Sequence, residues 1–272
     1  MLPTRSFQQN DLSHGSIDTN SPQLANIISY PRFDNNGYIE RISEIHALGV
    51  KFVICGGRSV IGKVAIAGKG CVSLVLRAKS QNNNMCALKV RRLDANRSNM
   101  EQEVGLHKIA NLVGIGPEIF GHSKNIILME FVEGLSIIDW ITEDDNASDP
   151  KIVLRVLLDI LEQCYLLDTI HLDHGQLSYL DHHVIISNSY KVTLIDFESS
   201  STRRRTSNVT CAAQSLLLSG FISRRINDVL LLQNNKERLI KTLRLYKSCQ
   251  TRASFDKLLH LLLEAHSENC HQ

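Results

Sequence analysis

Apolar residues change their period part of the way along this chain, and that change limits the folds open to it more than any other feature. Up to Phe131 they come in short runs separated by Gly- or Asn-rich breaks. Lys51 to Cys55 meets the turn Gly56-Gly57, Val60 to Ala67 and Val72 to Ala78 flank Gly68-Lys69-Gly70, and Met85 to Val90 follows Gln81 to Asn84. Runs of this kind predict an antiparallel meander. Ile126 to Phe131 returns as a further strand and ends in polar Glu133-Gly134. Two helices are expected in this region. One covers Tyr38 to Leu48, where Ile39, Ile42, Ile45 and Leu48 recur every three, and the other runs from Asn96 to Leu112. Beyond Pro150 the texture differs: Ile152, Val156, Leu157, Ile160, Leu161, Cys164 and Leu167 follow the 3.6-residue period of a buried helix. Two short strand-like pieces, Val184 to Ile186 and Val192 to Ile195, interrupt it, and almost everything after Asn208 reads as helix. The expected class is therefore α+β, with a sheet-bearing unit over 36–134 and a helical unit over 135–272. Residues 1–35, rich in Ser, Asn, Gln and Pro, are expected to be a poorly ordered lead-in.

Composition excludes several classes. A chain of 272 residues with 43% hydrophobic and 21% charged residues can bury a substantial core and is not disordered throughout. Net charge is +2, so nothing global demands a nucleic acid or an anionic surface as partner. No apolar run approaches the roughly 18 residues of a membrane span, and the N-terminus lacks the basic-then-apolar order of a signal peptide. The seven cysteines are scattered, without a C-x-x-C pair, and read as reduced thiols of a cytoplasmic protein.

Chemistry-bearing residues fall in two groups. In the first, Gly68, Lys69, Gly70 and Ser73 form a strand-turn-strand in which glycines would let backbone approach a phosphate; the bland alternative is a Gly-rich hairpin turn. Lys89 lies 19 residues past Gly70, between Leu88 and Val90. A lysine so flanked either holds phosphate oxygens with its stem packed or is an exposed strand lysine. If buried it needs an anion, for which Glu103 on the next helix is the candidate and Glu101 the competitor. In the second group, Leu172-Asp173-His174-Gly175-Gln176-Leu177 precedes Asp181-His182-His183 and Leu194-Ile195-Asp196-Phe197-Glu198. An Asp directly after an apolar strand can meet a divalent cation, or can be an ordinary turn residue. A zinc site built from His171, His174, His182 and His183 is disfavoured, because no zinc spacing is met and no cysteine is close. Arg203-Arg204-Arg205, with Arg224 and Arg225 beyond, is either a solvated loop or a site for a phosphorylated partner, an acidic protein or RNA. No aromatics interleave with it, so nucleic-acid binding has no support beyond that basic loop.

A Gly loop, strand Lys, helix Glu, strand into Met129-Glu130, His-Gly-x-Leu loop and Ile-Asp-Phe stand here in the serial order of the protein-kinase signature set. The chain resembles the atypical, minimal kinases of archaea, in the style of the RIO and Bud32 groups and of the predicted archaeal serine/threonine protein kinases, over about residues 62 to 215. Val113-Gly114-Ile115-Gly116-Pro117 and the Met129 to Gly134 turn carry the same likeness. The resemblance implies a two-lobed protein-kinase-like fold with a small antiparallel-sheet N-lobe, a reduced helical C-lobe, and Mg-ATP as ligand. It implies that Gly68, Lys69, Gly70 and Ser73 cover the phosphates and that Lys89 contacts them while paired with Glu103, a choice helped by Ala110 seven residues on. Ala87 and the backbone of Glu130, Phe131 and Val132 would meet adenine, and Asp196 and Asp181 would hold Mg²⁺. Three departures stand out. Gln176 occupies the place of the catalytic aspartate and cannot take a proton, leaving Asp173 as a candidate substitute base; Asp181 replaces an asparagine; Glu198 replaces a glycine. The expected function is serine/threonine kinase-type phosphotransfer to a protein or small acceptor, or slow ATP hydrolysis. The alternatives are a nucleotide-binding pseudokinase and a small-molecule kinase of the aminoglycoside or choline type.

Overall fold

The computed structural model describes residues 15–269. They fall into two compact units. One comprises the described residues up to Val104 together with Glu118–Phe131, and the other Gly105–Pro117 together with the described residues from Val132 onward. The division passes through the helix that starts at Glu101 and again between Phe131 and Val132, the latter near the boundary the sequence places at Gly134.

The first unit contains β1 (Ser16–Asp18), α1 (Pro22–Ile28), α2 (Asn35–Ala47), β2 (Val50–Ile54), β3 (Ser59–Ile61), β4 (Val64–Ile66), β5 (Gly68–Lys69), β6 (Ser73–Ser80), β7 (Met85–Arg91), the start of α3 (Glu101–Asn111), β8 (Ile119–His122) and β9 (Ile126–Met129). Its sheet is antiparallel, in the order β1-β2-β6-β7-β9-β8, with β5 paired to β6. One face buries Leu74, Leu76, Leu88, Val90 and Ile126 against Leu24, Ile27, Ile28 and Ile45.

Residues 16–28 correct the expected lead-in; residues 1–14 of it lie outside the described residues. Ser21 caps α1 by accepting from the Gln23 N–H, Pro22 suits its first turn, and Leu24, Ile27 and Ile28 form a fully buried stripe at i, i+3, i+4. Polar composition hid a helix whose apolar spacing is regular. In α2 the every-three spacing drifts round a 3.6-residue helix by about 60° per step, so Ile45 is buried, Ile42 and Leu48 are half-buried and Ile39 faces solvent. The run Val60 to Ala67 is not one strand of the meander but the β3–β4 hairpin, which pairs Ser59 with Ile66 about a turn at Gly62.

The second unit contains the rest of α3, β10 (Leu135–Ser136), α4 (Ile137–Glu143), α5 (Pro150–Thr169), β11 (Val184–Ile186), β12 (Val192–Leu194), α6 (Asn208–Ala213), α7 (Phe221–Leu230), α8 (Lys236–Ser248) and α9 (Arg252–Asn269). Asp149 caps α5, and the Val156, Leu157, Ile160, Leu161, Cys164 and Leu167 stripe is buried within 1% of complete. That helix is the axis of a core shared with Trp140, Phe197, Tyr246 and Phe255. Strands β10, β11 and β12 form a small antiparallel sheet. The architecture is α+β with antiparallel sheets, and no described helix is long and apolar enough to cross a membrane.

Candidate functional site

In the first unit, β7 places Lys89 opposite Val75 on one side and Ile127 on the other, in the middle of the sheet. Leu88 and Val90 point into the core behind it. Period-2 alternation therefore turns the Lys89 stem to the opposite face, where α3 begins. Lys89 Nζ donates to Glu103 Oε1 at 2.5 Å, and the two side chains are 6% and 1% exposed. Arg97 Nη1 reaches Glu103 Oε2 at 3.3 Å, so two cations share one buried carboxylate. Glu101, its competitor, is exposed.

The glycine turn lies one strand away. Gly68 and Lys69 pair with Val75 and Leu74, and the turn closes through Gly70 N–H to Ser73 C=O at 2.8 Å. Ser73 is buried, and the Lys69 ammonium stands 4.7 Å over the Tyr30 ring. Ala87 is buried between Arg77 and Met129. Glu130 is exposed; its N–H donates to Glu118 C=O, and the Arg77 guanidinium covers the Phe131 ring at 4.8 Å.

The second unit holds the other residues. Asp196 follows β12 with φ of +71°, a left-handed conformation that Asp tolerates better than most residues and that is enriched at functional sites. His183 Nδ1 lies 3.9 Å from its Oδ2. The next residue, Phe197, is fully buried; it stacks on His107 at 4.7 Å and packs on His174 at 5.2 Å between ring centroids. Gly116 is required there, since at φ of +82° a Cβ would lie 2.6 Å from Phe197 Cε2. Asp181 sits exposed in a single helical turn, Leu180–His182. Among the described residues no group of three or more His, Cys, Asp and Glu side chains is arranged to hold a metal ion.

The loop from His171 to Leu177 is held from beneath by residues that carry no motif. Asp168, buried on α5, accepts from Asn208 N–H and Nδ2 at 3.0 and 2.9 Å and from the Tyr246 hydroxyl at 2.8 Å. Asn208 passes the connection on, accepting from the His174 N–H at 2.8 Å. Burial outweighs these bonds and holds the Asp168 carboxyl above the usual carboxylate range. His174 Nε2 meets Ile195 C=O at 3.1 Å, which fixes the Nε2–H tautomer, while its Nδ1 has no hydrogen-bond partner among the described residues. Burial, with His183 adding to it, pushes the His174 imidazole down to about 4.

That shift gives a stability prediction. Between pH 6.5 and about 4 the unfolded chain binds a proton at His174 that the folded chain refuses, so stability falls as pH drops through this window and levels off below it. At about 1.4 kcal/mol per unit the loss is about 3 kcal/mol. His174→Gln, which keeps an amide donor and cannot titrate, flattens urea-unfolding stability across the same window; an unchanged pH profile would remove His174 as the cause.

The Asp173 carboxylate is taken up: Arg204 Nε donates to Oδ2 at 2.9 Å, and Ser207 N–H and Oγ approach Oδ1 at 3.3 and 3.4 Å. Its backbone pairs with Ser201. These contacts brace the loop, the turn role that the sequence also offers for Asp173. Within the basic loop Arg204 thus serves Asp173 and Ser199 C=O, Arg205 bonds Lys247 C=O, and the exposed Arg203 side chain carries no such contact. Gly175 admits Arg204 to the loop, since a Cβ there would meet Arg204 Nη2 at 2.4 Å.

Sequence reasoning does not single out Arg97, His107, Asp168, Asn208 or Tyr246, and it places Arg204 in a basic loop without its partner Asp173. His107 had a usable signal, being one helical turn past Glu103; the others are joined only by the fold. No protein-family model matches this sequence, and no curated protein matches it either.

Proposed function

We propose that the chain is an ATP-dependent phosphotransferase with a protein-kinase-like two-lobed fold, akin to the atypical archaeal serine/threonine kinases it resembles. The observation that carries this reading is the buried Lys89–Glu103 pair. A buried lysine is costly unless paired, and a strand lysine held by a helix carboxylate is the arrangement that presents an ammonium to phosphate oxygens. The left-handed Asp196, followed by Phe197 wedged between two buried imidazoles, supports the same reading from the second unit.

The donor set fits Mg²⁺. Asp196 offers hard carboxylate oxygens on a side chain 34% exposed, and magnesium is usually held by one or two carboxylates plus substrate phosphates. Asp196 would hold the ion, which when bound would offset the charge of the phosphates. Lys89 binds α- and β-phosphate oxygens, Glu103 fixes the direction of its ammonium, the glycine turn covers the phosphates, and Gln176 orients the acceptor hydroxyl or water through its amide. The acceptor is a protein hydroxyl or a small molecule, and radiolabelled ATP offered with each separates the two.

One observation favours a second reading, a nucleotide-binding pseudokinase whose output is a conformation. Neither Gln176 nor the braced Asp173 supplies a free carboxylate to take a proton.

Thermal unfolding tests the site. Mg-ATP at 100 times its dissociation constant stabilises a folded-only binder by about 2.7 kcal/mol, a rise on the order of 5 °C for a chain of this size. The rise is expected with Mg-ATP, is reduced without Mg²⁺ and in Asp196→Asn, and is lost in Lys89→Ala. No shift at millimolar Mg-ATP would end the nucleotide reading.

A further inference from the structure

The glycine turn is tied down by a residue that the kinase resemblance does not assign. Arg92, directly after β7, donates its backbone N–H to Val72 C=O at 2.8 Å and its Nη1 to Gly70 C=O at 2.7 Å. Its guanidinium is fixed in turn, with Nε and Nη2 on the two carboxylate oxygens of Asp94 at 2.8 and 2.7 Å and its face 4.8 Å from the Tyr30 ring centroid. The same ring takes the Lys69 ammonium at 4.7 Å, and Tyr30 C=O accepts from the Leu93 N–H at 3.0 Å. The chain just after α1 and the chain just after β7 therefore grip the turn between them.

A trans peptide points its C=O and its N–H to opposite sides. Drawing Gly70 C=O onto Arg92 sends the Cys71 N–H the other way, and no described residue accepts from that N–H. A glycine-bearing turn whose carbonyl is tied back and whose amide is left outward is a preformed donor for an anion. We infer that Arg92, seated on Tyr30, is a positioning residue that aims the Cys71 amide at the β- and γ-phosphates of the nucleotide. This rests on the nucleotide reading above. Arg92 acts only through the turn, so its effect falls on the terminal phosphates and spares the nucleoside.

The experiment is calorimetric titration of ATP and AMP, with Mg²⁺, into the full chain and its Arg92→Ala, Arg92→Lys, Tyr30→Leu, Tyr30→Phe and Lys89→Ala variants, each checked for cooperative thermal unfolding. Loss of one charge-assisted anchor corresponds to about tenfold, so Arg92→Ala is expected to weaken ATP about tenfold and AMP less than twofold. Arg92→Lys, which keeps the cation on the ring, recovers part of the loss. Tyr30→Leu weakens ATP several-fold while Tyr30→Phe does not, because the ring and not the hydroxyl holds the cations. If Arg92→Ala does not fold, the Arg92→Lys and Tyr30 variants carry the same ATP-against-AMP comparison. Equal losses for ATP and AMP, or no loss for either, with Lys89→Ala still impaired, overturns the role of Arg92 and leaves the nucleotide site standing. Wild-type ATP affinity in Lys89→Ala, or no ATP binding by the wild type, overturns the site and this inference with it.

Discussion

Glu103→Ala is expected to cost about 3–5 kcal/mol of folding stability, the largest single loss among the site residues. Glu103 is 1% exposed and takes Lys89 on one oxygen and Arg97 on the other. Removing its carboxylate leaves the Lys89 ammonium in a desolvated position without the charge that offset it there, and breaking a buried pair is costly for that reason. Glu101→Ala, on the exposed face of the same helix, should stay within about 0.5 kcal/mol. Replacing both partners, Lys89→Met with Glu103→Leu, should recover most of the stability of Glu103→Ala, since an apolar pair of similar volume avoids the desolvation penalty. On the nucleotide reading ATP binding is not expected to return with it, because that reading makes Lys89 the phosphate contact. Urea unfolding of the three variants, with Mg-ATP titration of the double variant, measures both halves. A cost below about 1 kcal/mol for Glu103→Ala would mean that the pair is solvated in solution. Restored ATP binding in the double variant would mean that Lys89 is not the phosphate contact.

How much of this was legible beforehand follows from the range over which each signal acts. The α5 stripe could be read because Pro150 opens it and its apolar residues keep one period for five turns. The Lys89–Glu103 pairing spans 14 residues and required only a strand, a turn and the first turn of a helix. Strand β8 was missed because Pro117 and Gly121 flank and interrupt it and because its side chains alternate between half-buried and exposed, which leaves no apolar run. Helix α1 is hard to read because its seven residues carry only one apolar stripe inside a stretch rich in Ser, Asn, Gln and Pro. The supports of the loop from His171 to Leu177 were not legible at all. Asp168 meets Asn208 and Tyr246 across 40 and 78 residues, and Asp173 meets Arg204 across 31, so nothing local in the sequence announces either contact. Each of the two groups of candidate residues is local to one strand-turn-strand or one loop and so stands out in the sequence; the braces that hold them are tertiary.

Gln176→Asp is expected to raise Mg-dependent phosphate release or transfer by about 10²-fold, within the 10²–10⁴ range that a general base supplies, with ATP affinity changed less than threefold. On the phosphotransferase reading the wild type is expected to turn ATP over slowly. Phosphoryl transfer passes through a loose transition state in which positioning and metal electrostatics do most of the work, so the missing base slows the reaction without abolishing it. Gln176 shares its loop with Asp173, whose carboxylate accepts from Arg204 Nε and Ser207 N–H. The side-chain carbonyl oxygen of Gln176 is buried and has no hydrogen-bond partner among the described residues. A glutamine there can orient a nucleophile, as one does in GTPases, but it gains no proton from it. A carboxylate at the same position can do both. Steady-state turnover of wild type, Gln176→Asp and Gln176→Ala, alongside ATP titration, decides among three outcomes. A faster Gln176→Asp supports a phosphotransferase running without its base. A slower Gln176→Asp with an inactive Gln176→Ala would make the glutamine itself the catalytic device, acting through its amide. No turnover in any of the three, with ATP binding intact, would leave a nucleotide-binding pseudokinase.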